Sequence, residues 1–497
     1  MRRSPHYHAA AQVALAALLL TAASLGARAD NGKDHYNKGI ALYKQNKLDA
    51  ALAEFNTARR MDPKDAMTLY WVGFVNLQEQ KYPEAVEALE PAVKMRPNSS
   101  DAHLNLGNAY SGVHRYADAA QQFSDAARLE PKSPDPLYDL GTADQDMGRD
   151  ADALDAFHRA EALSPKDPYI QNGIGISEEH TGNPDAAIVA YQKATALAPN
   201  ESSFWMNLGL AYRHKGDDEN ARQAFSHAVA LAPNNYSIRE TYAETLYDMG
   251  RGSEAEDQFA KARQLSPSDF NPTFNMGLVA ERQNNLRQAQ QQYQNALAIQ
   301  PNNPMALTAL AQVQRKMGNF DAAAGTYRRL TAVTPDDQSG WVNLGACLQR
   351  TGDMTGAAAA MEEALKHGHA GMRDAQIRRV LGSYYLGRSD PDSLDRAQAL
   401  FESSLQEDPN SALALTGLGQ VAQRHSHPDS AITYYKRAVA LDPKMVDAWN
   451  NLGVAYEYKG EAAQAMGAYR HAVQADPGNS VAKANLARVQ EALKHKQ

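Results

Sequence analysis

The chain has 497 residues, 50 Lys and Arg against 58 Asp and Glu, a formal net charge of −8 at pH 7 and one cysteine. That length exceeds one ordinary hydrophobic core, so several domains or a repeat array are expected. The acidic balance gives no reason to expect nucleic acid as a partner, and the lone Cys347 excludes an internal disulfide framework or a thiolate metal cluster.

In chain order, residues 1–29 come first and differ from the rest. Arg2 and Arg3 precede an Ala/Leu/Val stretch from about Ala9 to Leu25, and Ala27-Arg28-Ala29 closes it without any Asp or Glu. This is the layout of a secretory signal, with cleavage expected before Asp30. A retained membrane anchor is the alternative, for which the apolar run is short and alanine-rich. No cysteine follows the cleavage site to carry a lipid, and no later stretch is long and apolar enough to span a membrane. The expected location is periplasmic or secreted.

From there on, prolines recur at Pro63, Pro97, Pro131, Pro165, Pro199, Pro233, Pro267, Pro301 and Pro335, each 34 residues after the last. Pro443 and Pro477 keep the same spacing. A fixed period of this size marks a solenoid. In the repeat from Ser202, apolar residues at helical spacing (Trp205, Leu208, Gly209, Tyr212) give way to a turn at Gly216. A second helical stripe (Ala221, Phe225, Ala228) then runs to Pro233. Glycine at the eighth position and alanine at the twentieth leave room where two helices touch. Proline at the thirty-second position closes the pair, because it lacks an N–H and clashes with the preceding turn.

This pattern resembles the tetratricopeptide repeat family, most fully in WNNLGVAYEYKGEAAQAMGAYRHAVQADP, Trp449 to Pro477. Repeats start at 32, 66, 100, 134, 168, 202, 236, 270, 304, 338, 375, 412 and 446, so the array covers 32–479 and 480–497 serves as a capping helix. Two intervals are 37 residues, with the excess placed around His367–Arg373 and Ser389–Asp395. The resemblance implies an all-α, right-handed superhelical solenoid of about 13 helix-turn-helix repeats. In that family the second, fifth, sixth, ninth, twelfth and thirteenth positions face a concave groove, while the seventh, eighth, tenth and eleventh pack inside.

On this register LYWVGFVNL, residues 69–77, turns Tyr70, Trp71, Phe74 and Leu77 to the groove and keeps Val72 and Gly73 in the core. Tyr36, Ile40 and Tyr43 stand at equivalent places in the repeat before, making an apolar patch of the kind that marks a binding site. Self-association or local packing are the alternatives. The sixth position then becomes asparagine at Asn105, Asn207, Asn275, Asn343 and Asn451, and at Asn485 in the cap. Amides in a row can pair with the backbone of an extended peptide whatever its side chains. The row is similar to the asparagine-lined groove of the repeat domain of O-linked N-acetylglucosamine transferases, although a family-typical surface would read the same. Charge segregates along the wall, acidic at Asp139, Glu179 and Asp248 and basic at Arg315, Lys316 and Arg379. The carboxylate clamp of chaperone-binding relatives is not expected in the first three repeats, because Trp71 takes the place of one of its asparagines.

Other chemistry is sparse. His367/His369 and His425/His427 are expected to be solvated loop residues rather than zinc ligands. Asp390, Asp392 and Asp395 lack the glycine of a calcium loop, and Cys347 is expected in the core. No nucleophile elbow, phosphate loop or metalloprotease helix is present. No catalytic residue, metal or cofactor is expected, and the repeats leave no room for a catalytic domain. The expected function is a non-catalytic exported scaffold binding protein or peptide segments. A periplasmic scaffold of exopolysaccharide secretion or envelope assembly, or a substrate-binding subunit for a separate enzyme, are the alternatives.

Overall fold

The computed structural model describes residues 31–368, 371–390 and 392–494; the leader expected at residues 1–29 lies outside them. Every regular element among the described residues is an α-helix, 27 in all. They divide into two compact bodies, up to Leu265 and from Ser266. The first runs in antiparallel pairs from Asn31–Lys44 with Leu48–Met61 to Tyr236–Asp248 with Gly252–Leu265. The second runs from Phe270–Arg282 with Leu286–Ile299 to Val446–Tyr458 with Ala462–Ala475, followed by the single helix Ser480–Lys494.

One contact recurs inside the pairs. The eighth-position glycine of the first helix lies flat against the ring at the twenty-fourth position on the second. A Cβ at Gly39 would come within 2.6 Å of Phe55, at Gly175 within 2.5 Å of Tyr191 and at Gly453 within 2.5 Å of Tyr469. The rings fill the space that the missing Cβ leaves, and Phe55, Tyr191 and Tyr469 are essentially inaccessible to solvent. Alanine at the twentieth position (Ala51, Ala119, Ala187, Ala465) is fully buried for the same reason. Where the ring is tyrosine, its hydroxyl donates to the twelfth-position side chain of the first helix in all such pairs but that of Tyr327, whose buried hydroxyl has no such bond among the described residues. Tyr191 donates to Glu179 at 3.1 Å, Tyr293 to Glu281 at 2.8 Å and Tyr469 to Glu457 at 2.6 Å.

Local chemistry sets the ends. Most first helices begin at side-chain caps: Asp65 accepts from the Met67 and Thr68 amides, and Asn303 from Ala306. In most pairs the turn between the two helices passes through one left-handed residue, such as Gly216 at φ 79° or Gln80 at φ 61°. The turn between pairs holds the periodic proline, whose free carbonyl finds a donor at the fourth position of the next first helix. Trp205 Nε1 donates to Pro199 O at 2.8 Å, Trp341 to Pro335 at 2.8 Å and Trp449 to Pro443 at 2.9 Å. His103 reaches Pro97 O in the same way at 3.0 Å. Cys347 is fully buried, and burial pushes its thiol pKa up, as suits a core residue.

Two glycines of the last pair separate these effects. Gly453 faces the Tyr469 ring, whereas a Cβ at Gly467 would meet nothing within 4 Å. Gly467→Ala is expected to stabilise by about 1 kcal/mol through helix propensity. Gly453→Ala gains the same propensity but forces the ring aside, an overpacking cost of about 1–3 kcal/mol. Hydrogen exchange over residues 446–475 should therefore slow in the first variant and quicken in the second.

Candidate functional site

The first-helix wall of the first body opens with the aromatic segment, and here the structure corrects the expectation. Tyr70, Trp71 and Phe74 are not surface residues; they are 6%, 5% and 8% exposed. The whole run Thr68 to Leu77 of helix Ala66–Gln78 is buried, as befits a helix apolar all round. The reason is mutual coverage by large side chains, from both helices of the preceding pair and from within the helix itself. Trp71 stacks on Phe55 (centroids 5.7 Å apart, 16° between planes) and meets Tyr43 at 5.1 Å, while Tyr70 stacks on Phe74 at 5.9 Å. Tyr36 and Tyr43 remain half-buried at the edge of this cluster. Burial pushes the Tyr70 phenol well above the usual tyrosine range.

The asparagine row is also engaged internally. Asn105 is buried, and its amide donates to the Tyr70 hydroxyl at 3.1 Å and to Asp101 O at 2.8 Å. Asn207 donates to Asn172 at 2.8 Å, and Asn485 to Asn450 at 2.9 Å. In each case a sixth-position amide binds the fifth-position side chain of the preceding first helix, so these amides tie neighbours together. Asn343 accepts from Arg315 at 2.7 Å; Asn275 and Asn451 are partly exposed. Charges on the wall pair in the same way. His214 meets Glu179 at 2.6 Å, Arg213 joins Asp248 at 2.8 Å, and Lys316 joins Glu281 at 2.7 Å.

The exception lies in the second body. A cavity of about 620 Å³ opens among the second helix Met354–Lys366 and the first helices Met372–Leu386 and Ala412–Arg424. Helix Met354–Lys366 carries Met361 where most second helices place a ring, and Ala357 and Ala358 beside it add little bulk. Helix Met372–Leu386 accordingly packs less closely on it than other first helices do on their predecessors. On the cavity wall Val380 and Gly417 occupy sixth positions, where several other repeats carry an amide. A Cβ at Gly417 would strike the Phe401 ring beneath it. Val380, Leu413 and Met354 are 40%, 59% and 43% exposed, which leaves apolar surface facing water at the cavity mouth.

None of these residues was singled out by sequence. The available signals were the two 37-residue intervals and the alanine run before Met361. Among the described residues no three His, Cys, Asp or Glu side chains come together as metal ligands, and no helix is long and apolar enough to cross a membrane.

The family profile described as "Tetratricopeptide repeat" matches residues 6–66, 36–85, 75–134, 138–202 and 416–480, and a profile described as "Cilia and flagella-associated protein 70 C-terminal domain" matches 174–381. Together with the paired helices, this defines a helical-repeat protein of the class that mediates protein–protein contacts. The chain belongs to the tetratricopeptide repeat family. It is 39% identical over 77 residues to the chloroplastic tetratricopeptide repeat domain-containing protein PYG7 of Arabidopsis thaliana, covering 16% of this chain and 26% of that one. Over 91 residues it is 33% identical to the probable UDP-N-acetylglucosamine–peptide N-acetylglucosaminyltransferase SPINDLY of Petunia hybrida, covering 18% and 10%. The C-terminal part of a repeat protein from Cytophaga hutchinsonii is similar at 17% identity and TM-score 0.43, over 48% of this chain and 99% of that one. The chain thus spans about a quarter of PYG7 and a tenth of SPINDLY.

The burial of Trp71 has a measurable consequence. Trp71→Ala should cost about 3–5 kcal/mol, as for a large buried aromatic, and melt the first helix pairs early. Tyr36→Ala, at the half-exposed edge, should cost distinctly less. Circular-dichroism melts of the two variants make the comparison.

Proposed function

We propose that the chain is an exported, non-catalytic scaffold that holds protein segments along its first-helix wall. The observation that carries this reading is the apolar-mouthed cavity of about 620 Å³ on that wall, in a surface whose amides and charges are otherwise largely tied to their neighbours. Interaction is what the family does, and an unfilled apolar recess is where a partner gains most by displacing water. Export rests on the leader layout of residues 1–29. The acid-free apolar stretch ending in Ala27-Arg28-Ala29 supports a mature chain beginning at Asp30 in the periplasm or outside the cell.

Two measurements test the two halves. Intact mass of the protein from the envelope fraction of an expressing bacterium is expected to correspond to a chain starting at Asp30; a retained amino terminus in the membrane pellet overturns export. The immobilised mature chain is expected to retain defined proteins that free chain competes away, and to turn over no substrate. Absence of any competed protein overturns the scaffold reading.

A further inference from the structure

We infer that the cavity in the second body receives one large aliphatic or methionine side chain of an extended peptide, with Asp447 at its rim selecting a basic residue beside that side chain. The inference rests on the scaffold reading and names the chemistry of its ligand.

Three properties of the lining lead there. The interior is apolar and adaptable: Met354, Met361 and Met445 present flexible thioethers around Val380 and Leu413, a surface that shapes itself to unbranched and branched aliphatic groups. The volume, about 620 Å³, is more than one side chain fills, and lies in the range of sites that enclose a ligand of several residues. It therefore accommodates the side chain with its flanking backbone. The lining also includes three amides, Gln349, Gln376 and Gln420, the first two exposed. Each can both donate and accept, as a passing backbone N–H and C=O require.

Charge sets the neighbour. Arg379 and Asp447 are the charged residues among the described lining. Arg379 is already neutralised, its Nη1 bonded to Asp408 at 3.2 Å and to Ser411 Oγ at 3.1 Å. Asp447 is exposed in the first turn of helix Val446–Tyr458 and has no ionic partner among the described residues. The rim thus carries one uncompensated negative charge, which favours Lys or Arg next to the anchor and disfavours Asp or Glu.

The test uses the full mature chain with its methionine methyl groups labelled for NMR, and short alanine–glycine peptides as probes. One peptide carries a central leucine with a neighbouring lysine. A second has serine for the leucine, and a third has glutamate for the lysine. The first peptide is expected to shift the methyl signals of Met354, Met361 and Met445 while leaving Met61 of the first body unmoved. It should bind about tenfold or more tighter than the serine peptide, the value of burying one such side chain. Val380→Asn with Leu413→Ser changes two exposed side chains and should abolish that preference without lowering the melting temperature. Asp447→Lys should reverse the order of the lysine and glutamate peptides. Equal binding of leucine and serine peptides, or shifts that persist in the Val380/Leu413 variant, overturns the cavity assignment. An unchanged lysine preference in Asp447→Lys overturns the role of that carboxylate. A chain that captures protein yet fails the peptide comparison loses the cavity assignment alone; one that captures none loses the scaffold reading as well.

Discussion

In most of the pairs two helices lie as close as they do because a ring on one sits where the other has no Cβ. Gly39 against Phe55, Gly209 against Phe225 and Gly453 against Tyr469 are the same contact repeated along the chain. It sets the separation of the helices, and the alanines at the twentieth position follow from that separation because nothing larger fits. The contact between pairs is then made by what remains, the apolar residues of one second helix against the next first helix. Interiors at crystal-like density transmit such a constraint with little slack, so a change at the ring is felt by the neighbouring pair.

That constraint also explains why the first-helix wall is largely occupied with itself. Regular spacing brings the sixth-position amide of one pair beside the fifth-position side chain of the pair before, and Asn105, Asn207 and Asn485 all use that proximity. The same regularity puts a twelfth-position carboxylate within reach of the buried tyrosine hydroxyl at Tyr191, Tyr293 and Tyr469. Polar groups that a surface reading would offer to a ligand instead satisfy one another. A row of amides is thus both a structural tie and a wall whose spare hydrogen-bonding capacity is small.

At one pair that lacks the ring, the regularity loosens. Met361 replaces it, alanines precede it, and helix Met372–Leu386 stands off from its predecessor. Val380 and Gly417 then present no amide at the place where space has opened. Loss of internal filling and exposure of apolar surface have one origin here. The aromatic cluster of the first body shows the converse. Tyr43, Phe55, Trp71 and Phe74 are large enough to cover one another, so a sequence stretch that reads as adhesive becomes core.

How much of this was legible beforehand follows from what is local and what is not. Helix pairs, their turns and the all-α class were determined by the sequence, because period, proline, glycine and caps act within a few tens of residues. The family could be read from the same marks. Burial at the fifth, sixth and ninth positions could not, since it depends on the volumes facing those positions from the adjacent pair. Trp71 is covered because Tyr43 and Phe55 reach it; Val380 and Leu413 stay open because Met361 and its alanines do not fill the space behind them. The asparagines were visible as a row, but only the spacing of folded pairs decided that several of them bond to the repeat before. Periodicity names the face a residue belongs to, and tertiary packing decides whether that face meets solvent.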